Sequence, residues 1–320
     1  MKGKLLSFKS KMRIVFMGTS IFAVPSLEAL IQSENEIIAV VSQPDRPKGR
    51  GHKFKPTPVK TVAESFKLQI FQPDSIKTET AIQQVMDWQP DLIVVVSYGQ
   101  IIPPAILSFP RYGCINVHAS LLPRYRGAAP IQRAIMAGEE VTGVTIMYMD
   151  KSLDTGDIIK QCSLEITDDI NHGELESILA QQGAVLLLQT INDIKQNAVT
   201  HCIQDEKQAN YAARLTKDDE LIEWSKPACA IHNQIRALDP APGAFTMIGN
   251  VKVKIYSSRV VEKKGTGVIG EVIKINKQGF IVQTGEGTLQ VMELQKEGKK
   301  RMLAPDFLKG NNVQPGTLLV

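Results

Sequence analysis

The sequence contains no run of about 18 apolar residues, so no segment of it reads as a membrane-spanning helix. Its start, MKGKLLSFKSK, carries lysines but neither an apolar core of leader length nor a small-residue cleavage site. It reads as a polar tail over residues 1–12, with the folded part starting near Met12-Arg13. The four cysteines, Cys114, Cys162, Cys202 and Cys229, are scattered and form no C-x-x-C pair. Reduced thiols in a cytoplasmic protein are the expectation. The five histidines, at 52, 118, 172, 201 and 232, never fall at ligand spacing, which argues against metal hydrolysis, and no metal is expected. No G-x-G-x-x-G follows the first strand-like run; the turn GTSIFAVP has one glycine, so a pyrophosphate could not approach the backbone as a dinucleotide site requires. A Walker A segment is also missing. Asp154-Thr155-Gly156 occurs once and follows an α/β strand, whereas aspartic proteases pair two such triplets in an all-β setting. There is no internal repeat and no low-complexity tract.

What is present points to two domains, because 320 residues exceed what one core usually fills. Apolar runs alternate with helical patterns over the first two hundred residues. Arg13–Met17, Ile37–Val41, Asp91–Val96, Cys114–Val117 and Val144–Met149 read as strands, the third fully apolar after its aspartate as a central parallel strand should be. FAVPSLEALI and Gly173–Ile194 read as helices. This alternation implies an α/β class with a doubly wound, mostly parallel sheet. Thr200–Arg214 is polar and aperiodic and reads as a linker. A helix over Lys226–Leu238 and then short strands at Val251–Tyr256, Gly267–Ile275, Phe280–Thr284 and Leu289–Leu294 follow. Gly-rich turns between them suggest a small all-β barrel or sandwich.

Charge is distributed unevenly. Up to Asp205 there are 20 Lys and Arg against 21 Asp and Glu; from Glu206 onward there are 17 against 12. The excess fits a polyanionic partner, and equally a solvated, slightly basic β-domain. Gln43–Lys60, QPDRPKGRGHKFKPTPVK, holds four prolines, two glycines and six Lys or Arg. It reads as a long irregular loop, either a phosphate-backbone clamp or a plain surface loop.

The chemistry concentrates in GCINVHASLLPRYRGAAPIQRA. On a strand, Asn116 and His118 share one face while Val117 points the other way. They fall at a strand's carboxyl end, where open α/β sheets bind ligands. An imidazole can shuttle a proton near neutrality, and an amide can donate to a developing oxyanion. The turn SLDTGD offers Asp154 as a carboxylate that would orient the ring. These groups suit attack of a neutral nucleophile on a carbonyl, without metal or covalent enzyme intermediate. Spacing alone leaves open a satisfied polar histidine and an aspartate that caps its own turn.

INVHASLLPRYRGAAPIQRA, followed by GVTIMYMDKSLDTGDII, resembles the site of the folate-dependent formyltransferases. GTSIFAVPSLEAL, SQPDRPKGRG, VVVSYGQIIP and PAPGAFT extend the resemblance from about Met12 to the C-terminus, and the basic loop with GAAPIQ narrows it to the branch acting on tRNA. The resemblance implies a Rossmann-like formyltransferase domain over 13–199, a linker over 200–214, and an OB-like, tRNA-binding barrel over 215–320. It implies transfer of a formyl group from 10-formyltetrahydrofolate to the α-amine of methionyl initiator tRNA, for bacterial-type translation initiation, through a tetrahedral intermediate. Asn116, His118 and Asp154 would be catalytic, and Ser120, Leu121, Leu122 and Pro123 would line the folate pocket. Arg50 would be the central tRNA-binding residue of the basic loop; Arg46, Lys53 and Lys55 are added on charge alone. Lys299-Lys300-Arg301 would hold tRNA backbone on the β-domain. The expected protein is a cytoplasmic monomer with no membrane partner. A nucleotide-linked amino sugar as acceptor, or a non-catalytic RNA-binding relative, are the alternatives. Ser20, Ser152 and Ala241 depart from the family's usual proline, glycine and aromatic, and none is a catalytic position.

Overall fold

The computed structural model describes residues 11–48, 53–262 and 267–320, so the expected tail falls almost wholly outside the described residues. The chain divides into two compact units, neither of them one continuous segment. Among the described residues, those within 1–126, 143–163 and 177–210 form the first, and those within 127–142, 164–176 and 211–320 the second.

In chain order the first unit opens with β1 (Arg13–Gly18), α1 (Val24–Gln32) and β2 (Glu36–Val41). Then come β3 (Arg46–Lys48), β4 (Lys53–Lys55), α2 (Pro58–Ser65), β5 (Ile70–Phe71) and α3 (Glu79–Asp87). β6 (Leu92–Val96), α4 (Pro104–Leu107) and β7 (Cys114–His118) follow. After the short β8 (Arg126–Gly127) and α5 (Pro130–Met136), the latter in the second unit, come β9 (Val141–Tyr148), β10 (Ile158–Glu165) and the long α6 (His172–Lys195).

Seven strands form one sheet in the order β10-β9-β7-β6-β1-β2-β5. β1 pairs in parallel with β2 and β6, β6 with β7, and β2 with β5, whereas β7 meets β9 antiparallel. The mostly parallel α/β reading is therefore borne out. β6 (LIVVV) is buried at every residue, which is why its sequence shows no alternation. The core on one face of this sheet gathers Val15, Met17, Val41, Ile93, Val95 and Ile106. α6 lies close on Val117: a Cβ at Gly183 would stand 2.9 Å from Val117 Cγ1. That face of β7 is thereby sealed, opposite to the one shared by Asn116 and His118.

The carboxyl ends of the central strands are tied together. Thr19 Oγ1 donates to the Tyr98 carbonyl at 2.9 Å and accepts from Gln43 N at 3.3 Å. Ser20, where the family usually has proline, uses its hydroxyl to bond Ser97 Oγ at 2.8 Å.

The expectation of an irregular loop over Gln43–Lys60 is corrected. β3 and β4 form a two-stranded antiparallel ribbon within it, and Pro58 begins α2. Proline is suited to a first helical turn, where its missing N–H would have had no intrahelical partner. Thr57 Oγ1 caps that helix by accepting from Lys60 N at 3.1 Å.

The second unit continues with β11 (Tyr211–Ala212), α7 (Ala228–Ala237), β12 (Ala244–Ile248) and β13 (Val251–Glu262). β14 (Val272–Asn276), β15 (Gly279–Gln283), β16 (Thr288–Lys296), β17 (Met302–Leu303) and α8 (Ala304–Lys309) complete it. β12-β13-β16-β15-β14 is the order of an antiparallel sheet, with β17 added on β16. Its core packs Ile231 and Ile235 of α7 with Val253, Phe280, Val291 and Leu294 of the sheet. The antiparallel sheet expected from the turn-separated strands is present, but α7 and α8 pack into its core, so the all-β expectation is corrected to a sheet with two helices. In the same unit Asn171 and Glu174 exchange bonds of 3.0 and 3.1 Å across the first turn of α6, a reciprocal capping box.

Candidate active site

Asn116 and His118 both lie on β7, buried, with Asn116 opposite Met147 and His118 opposite Thr145 of β9. β7 stands where the parallel part of the sheet meets its antiparallel edge, so its carboxyl end opens onto the crest favoured for ligands. The Asn116 carboxamide makes no hydrogen bond among the described residues, which leaves its N–H groups available to an incoming oxygen.

Both ring nitrogens of His118 face oxygen. Nε2 stands 2.9 Å from the Tyr125 carbonyl oxygen. A carbonyl only accepts, so Nε2 carries a proton, which leaves Nδ1 as the ring's acceptor nitrogen. Nδ1 faces Asp154 Oδ2 at 3.7 Å. The expected meeting of His118 with Asp154 thus occurs, at a separation longer than a direct hydrogen bond.

The Asp154 turn is shaped by its neighbours. Asp154 sits at φ 55°, a left-handed conformation uncommon for non-glycine residues but tolerated by aspartate better than by most. A Cβ on Gly156 would overlap the Tyr148 carbonyl oxygen, so glycine alone allows the turn to lie against the end of β9. Ser152, where the family usually has glycine, donates its backbone N–H to Asp150 Oδ1 at 3.0 Å. Thr155 Oγ1 donates to the same carboxylate at 2.7 Å.

The Ser120–Pro123 segment leaves β7 directly. Ser120 and Leu122 are buried, Leu121 and Pro123 half-buried. Thr145 holds the segment: its hydroxyl donates to the Ser120 carbonyl at 2.7 Å and accepts from Leu122 N at 3.1 Å. Gln161 Nε2 donates to Thr145 Oγ1 at 2.8 Å and to the Leu122 carbonyl at 2.9 Å. Ser120 Oγ closes the loop onto the Arg124 carbonyl at 2.6 Å. The loop wall is thereby fixed in shape beside an uncommitted carboxamide, an arrangement that fits a flat ligand presenting a carbonyl.

Of the basic-loop residues, Arg46 and Lys55 are exposed and paired directly across the β3–β4 ribbon. Like charges directly opposite repel, so a polyanion laid there would relieve them. Lys53 lies on β4 by its backbone, and Arg50 falls outside the described residues. Lys60 is not available: its Nζ bonds Asp45 Oδ2 at 2.6 Å. Gln72 and then Lys60 hold the Asp45 carboxyl below its ordinary range. On the second unit Lys299 and Lys300 are exposed, but the expectation for Arg301 needs correction. Its guanidinium is held by Asp239 at 2.6 Å and Glu293 at 2.7 Å, above the Tyr256 ring, so its charge is already matched.

Composition and periodicity gave no sign of Gln204. It lies in the polar, aperiodic Thr200–Arg214 stretch, yet is 5% exposed and bonds the Asp154 turn. Among the described residues no group of His, Cys, Asp and Glu could hold a metal ion, and no helix is long and apolar enough to cross a membrane.

Residues 12–191 match the formyl transferase family model, and 214–312 match its formyl transferase C-terminal domain. A methionyl-tRNA formyltransferase of Syntrophomonas wolfei is 60% identical over 96% of this chain and 98% of its own. One from Moorella thermoacetica is 47% identical over 96% and 99%. Among solved structures, HypX from Aquifex aeolicus with tetrahydrofolic acid has a TM-score of 0.66 at 17% identity. It covers 96% of this chain, which spans about half (49%) of that longer protein. The sugar 3N-formyl transferase WlaRD has a TM-score of 0.65 at 22% identity, covering 90% of this chain and 99% of its own. Those two likenesses speak for the fold. The two family models and the identity along nearly the whole chain say more: this chain belongs to the formyl transferase family, among its methionyl-tRNA formyltransferases.

Proposed function

We propose that the chain moves the formyl group of 10-formyltetrahydrofolate onto the α-amino group of methionyl initiator tRNA, for translation initiation. The observation that carries the site assignment is the grouping of Asn116, His118 and Asp154 beside the braced Ser120–Pro123 wall. The folate supplies an activated formyl carbonyl. Asn116 donates from its carboxamide to the oxygen that gains charge as the amine adds. His118, with Nε2–H committed to Tyr125, takes the amine's proton at Nδ1. Asp154 faces that nitrogen and steadies the imidazolium. His118 then returns the proton to the folate nitrogen as its bond to the formyl carbon breaks, and tetrahydrofolate departs. An α-amine has a pKa of about 8, and the adjoining ester lowers it, so a neutral nucleophile is at hand without a strong base.

In this reading Arg46, Arg50, Lys53 and Lys55 meet the acceptor end of the tRNA, and Lys299 and Lys300 meet its backbone. The like-charge pairing of Arg46 with Lys55 supports it. The protein acts in the cytoplasm as a monomer, the latter checked by sedimentation. The decisive assay offers labelled 10-formyltetrahydrofolate with methionyl-tRNA and with an amino-sugar nucleotide side by side. Label on the aminoacyl-tRNA alone is expected; label on the sugar alone would overturn the acceptor assignment.

A further inference from the structure

Gln204 ties the turn that carries Asp154 to Arg126, in the segment that holds the His118 ring. Its Nε2 donates to the Asp154 carbonyl at 2.9 Å and to the Gly156 carbonyl at 2.7 Å. Its Oε1 accepts from Arg126 Nε at 3.0 Å and Nη2 at 2.8 Å. The amide orientation follows from its partners, since carbonyls only accept and a guanidinium only donates. All four bonds are made by one buried side chain, so each polar atom is doubly matched.

Arg126 in turn belongs to the segment that holds the imidazole. It is fully buried, and its other guanidinium face bonds Glu206 at 2.8 and 3.0 Å. Its backbone N–H bonds the Asn210 carbonyl at 3.0 Å, and the preceding Tyr125 N–H bonds Asn210 Oδ1. Tyr125, itself at φ 60°, presents the carbonyl that fixes His118 Nε2. Gln204, Glu206 and Asn210 therefore reach from one polar segment to both sides of the His118–Asp154 pair.

We propose that Gln204 is a positioning residue for formyl transfer. It sets the distance between Asp154 and His118 by pinning the Asp154 turn to Arg126. The inference rests on the proposed function, in which that pair handles the proton. Neutral amide chemistry is required for it: a carboxylate could replace the acceptor toward Arg126 but not the two donor bonds toward the turn. A residue serving only to satisfy buried Arg126 would be replaceable by glutamate.

The test compares Gln204→Glu and Gln204→Ala with Asp154→Asn in the full chain, reading kcat and KM for both substrates per folded molecule. Folded fraction is taken from near-ultraviolet circular dichroism at the assay temperature. Both Gln204 variants are expected to lose kcat by about tenfold or more, with KM for methionyl-tRNA changed by less than about twofold. Gln204→Glu is expected to melt nearer the wild type than Gln204→Ala, because it keeps Arg126 held. Wild-type kcat in Gln204→Glu, with only Gln204→Ala impaired, would overturn the proposal. If Asp154→Asn itself keeps full kcat, the proposed role of the pair fails instead. Should either Gln204 variant not fold, Gln204→Asn, one methylene short of reaching both partners, replaces it, and an unchanged kcat there counts against the proposal.

Discussion

His118 Nε2 lies 2.9 Å from the carbonyl oxygen of Tyr125, seven residues further along the chain. This relationship places a proton on Nε2 and turns Nδ1 toward Asp154. Ring orientation is thus set by backbone, while charge is answered by a carboxylate from a different loop. Replacing Asp154 with Asn keeps the shape and removes the charge. We expect kcat to fall by on the order of 10²- to 10⁴-fold, the usual range for lost acid–base assistance, with KM for the folate little changed. Steady-state kinetics on the purified enzyme checks this, and a wild-type kcat would remove Asp154 from the chemistry.

Asn116 is expected to matter through a bond that forms only as the reaction proceeds. Its carboxamide has no hydrogen bond among the described residues, so Asn116→Ala leaves no described partner orphaned. Stability should then change little while kcat drops roughly 10²- to 10³-fold, as for other oxyanion donors. A parallel loss of thermal stability and activity would mean instead that the residue is structural.

In the proposed function the ribbon cations act earlier, in capture of the tRNA. Neutralising both Arg46 and Lys55 as glutamines should raise KM for methionyl-tRNA and leave KM for the folate unchanged. The slope of log affinity against log salt should become shallower by about 0.7 to 0.9 for each phosphate that is no longer neutralised. Titrating tRNA binding at several salt concentrations measures this directly. An unchanged slope would place the ribbon away from the bound tRNA.

The strands of the first unit were legible because burial on both faces leaves unbroken apolar runs, as in Leu92–Val96. The Asn116–His118 pair was legible as a shared strand face. The β3–β4 ribbon was not: the three-residue strands RPK and KFK carry no periodic signal, and Pro47 reads as a breaker. Gln204 was invisible for a deeper reason. Its burial comes from four hydrogen bonds to residues about 50 and 78 positions away, so hydropathy, which reports transfer from water, has nothing to register. The reach of Asp154 to His118 likewise depends on how β7, β9 and the following turn are stacked, which a motif names but does not measure.

His172, at the start of α6, offers a test of the second unit that is independent of catalysis. Its Nδ1 is buried with no hydrogen-bond partner among the described residues, and burial pushes its pKa down from 6.5 to about 4. In the unfolded chain the same imidazole takes a proton near 6.5. Between these values the unfolded state binds more protons than the folded one, so stability is lost as the pH falls through that window. The slope for this one group approaches about 1.4 kcal/mol per pH unit. Glu206 and Asp219 are distinct from it. Arg126 lowers the Glu206 pKa and Arg133 that of Asp219, so their contributions hold above the ordinary carboxylate values of 4.5 and 3.8 and fade only below them. Replacing His172 with Gln should therefore make the upper part of the acid limb shallower, with His232, whose pKa burial also lowers, still contributing there, and leave the lower part intact. Urea unfolding at a series of pH values separates the two, and an unaltered slope between 6.5 and 4.5 would show that His172 is protonated without penalty in the folded protein.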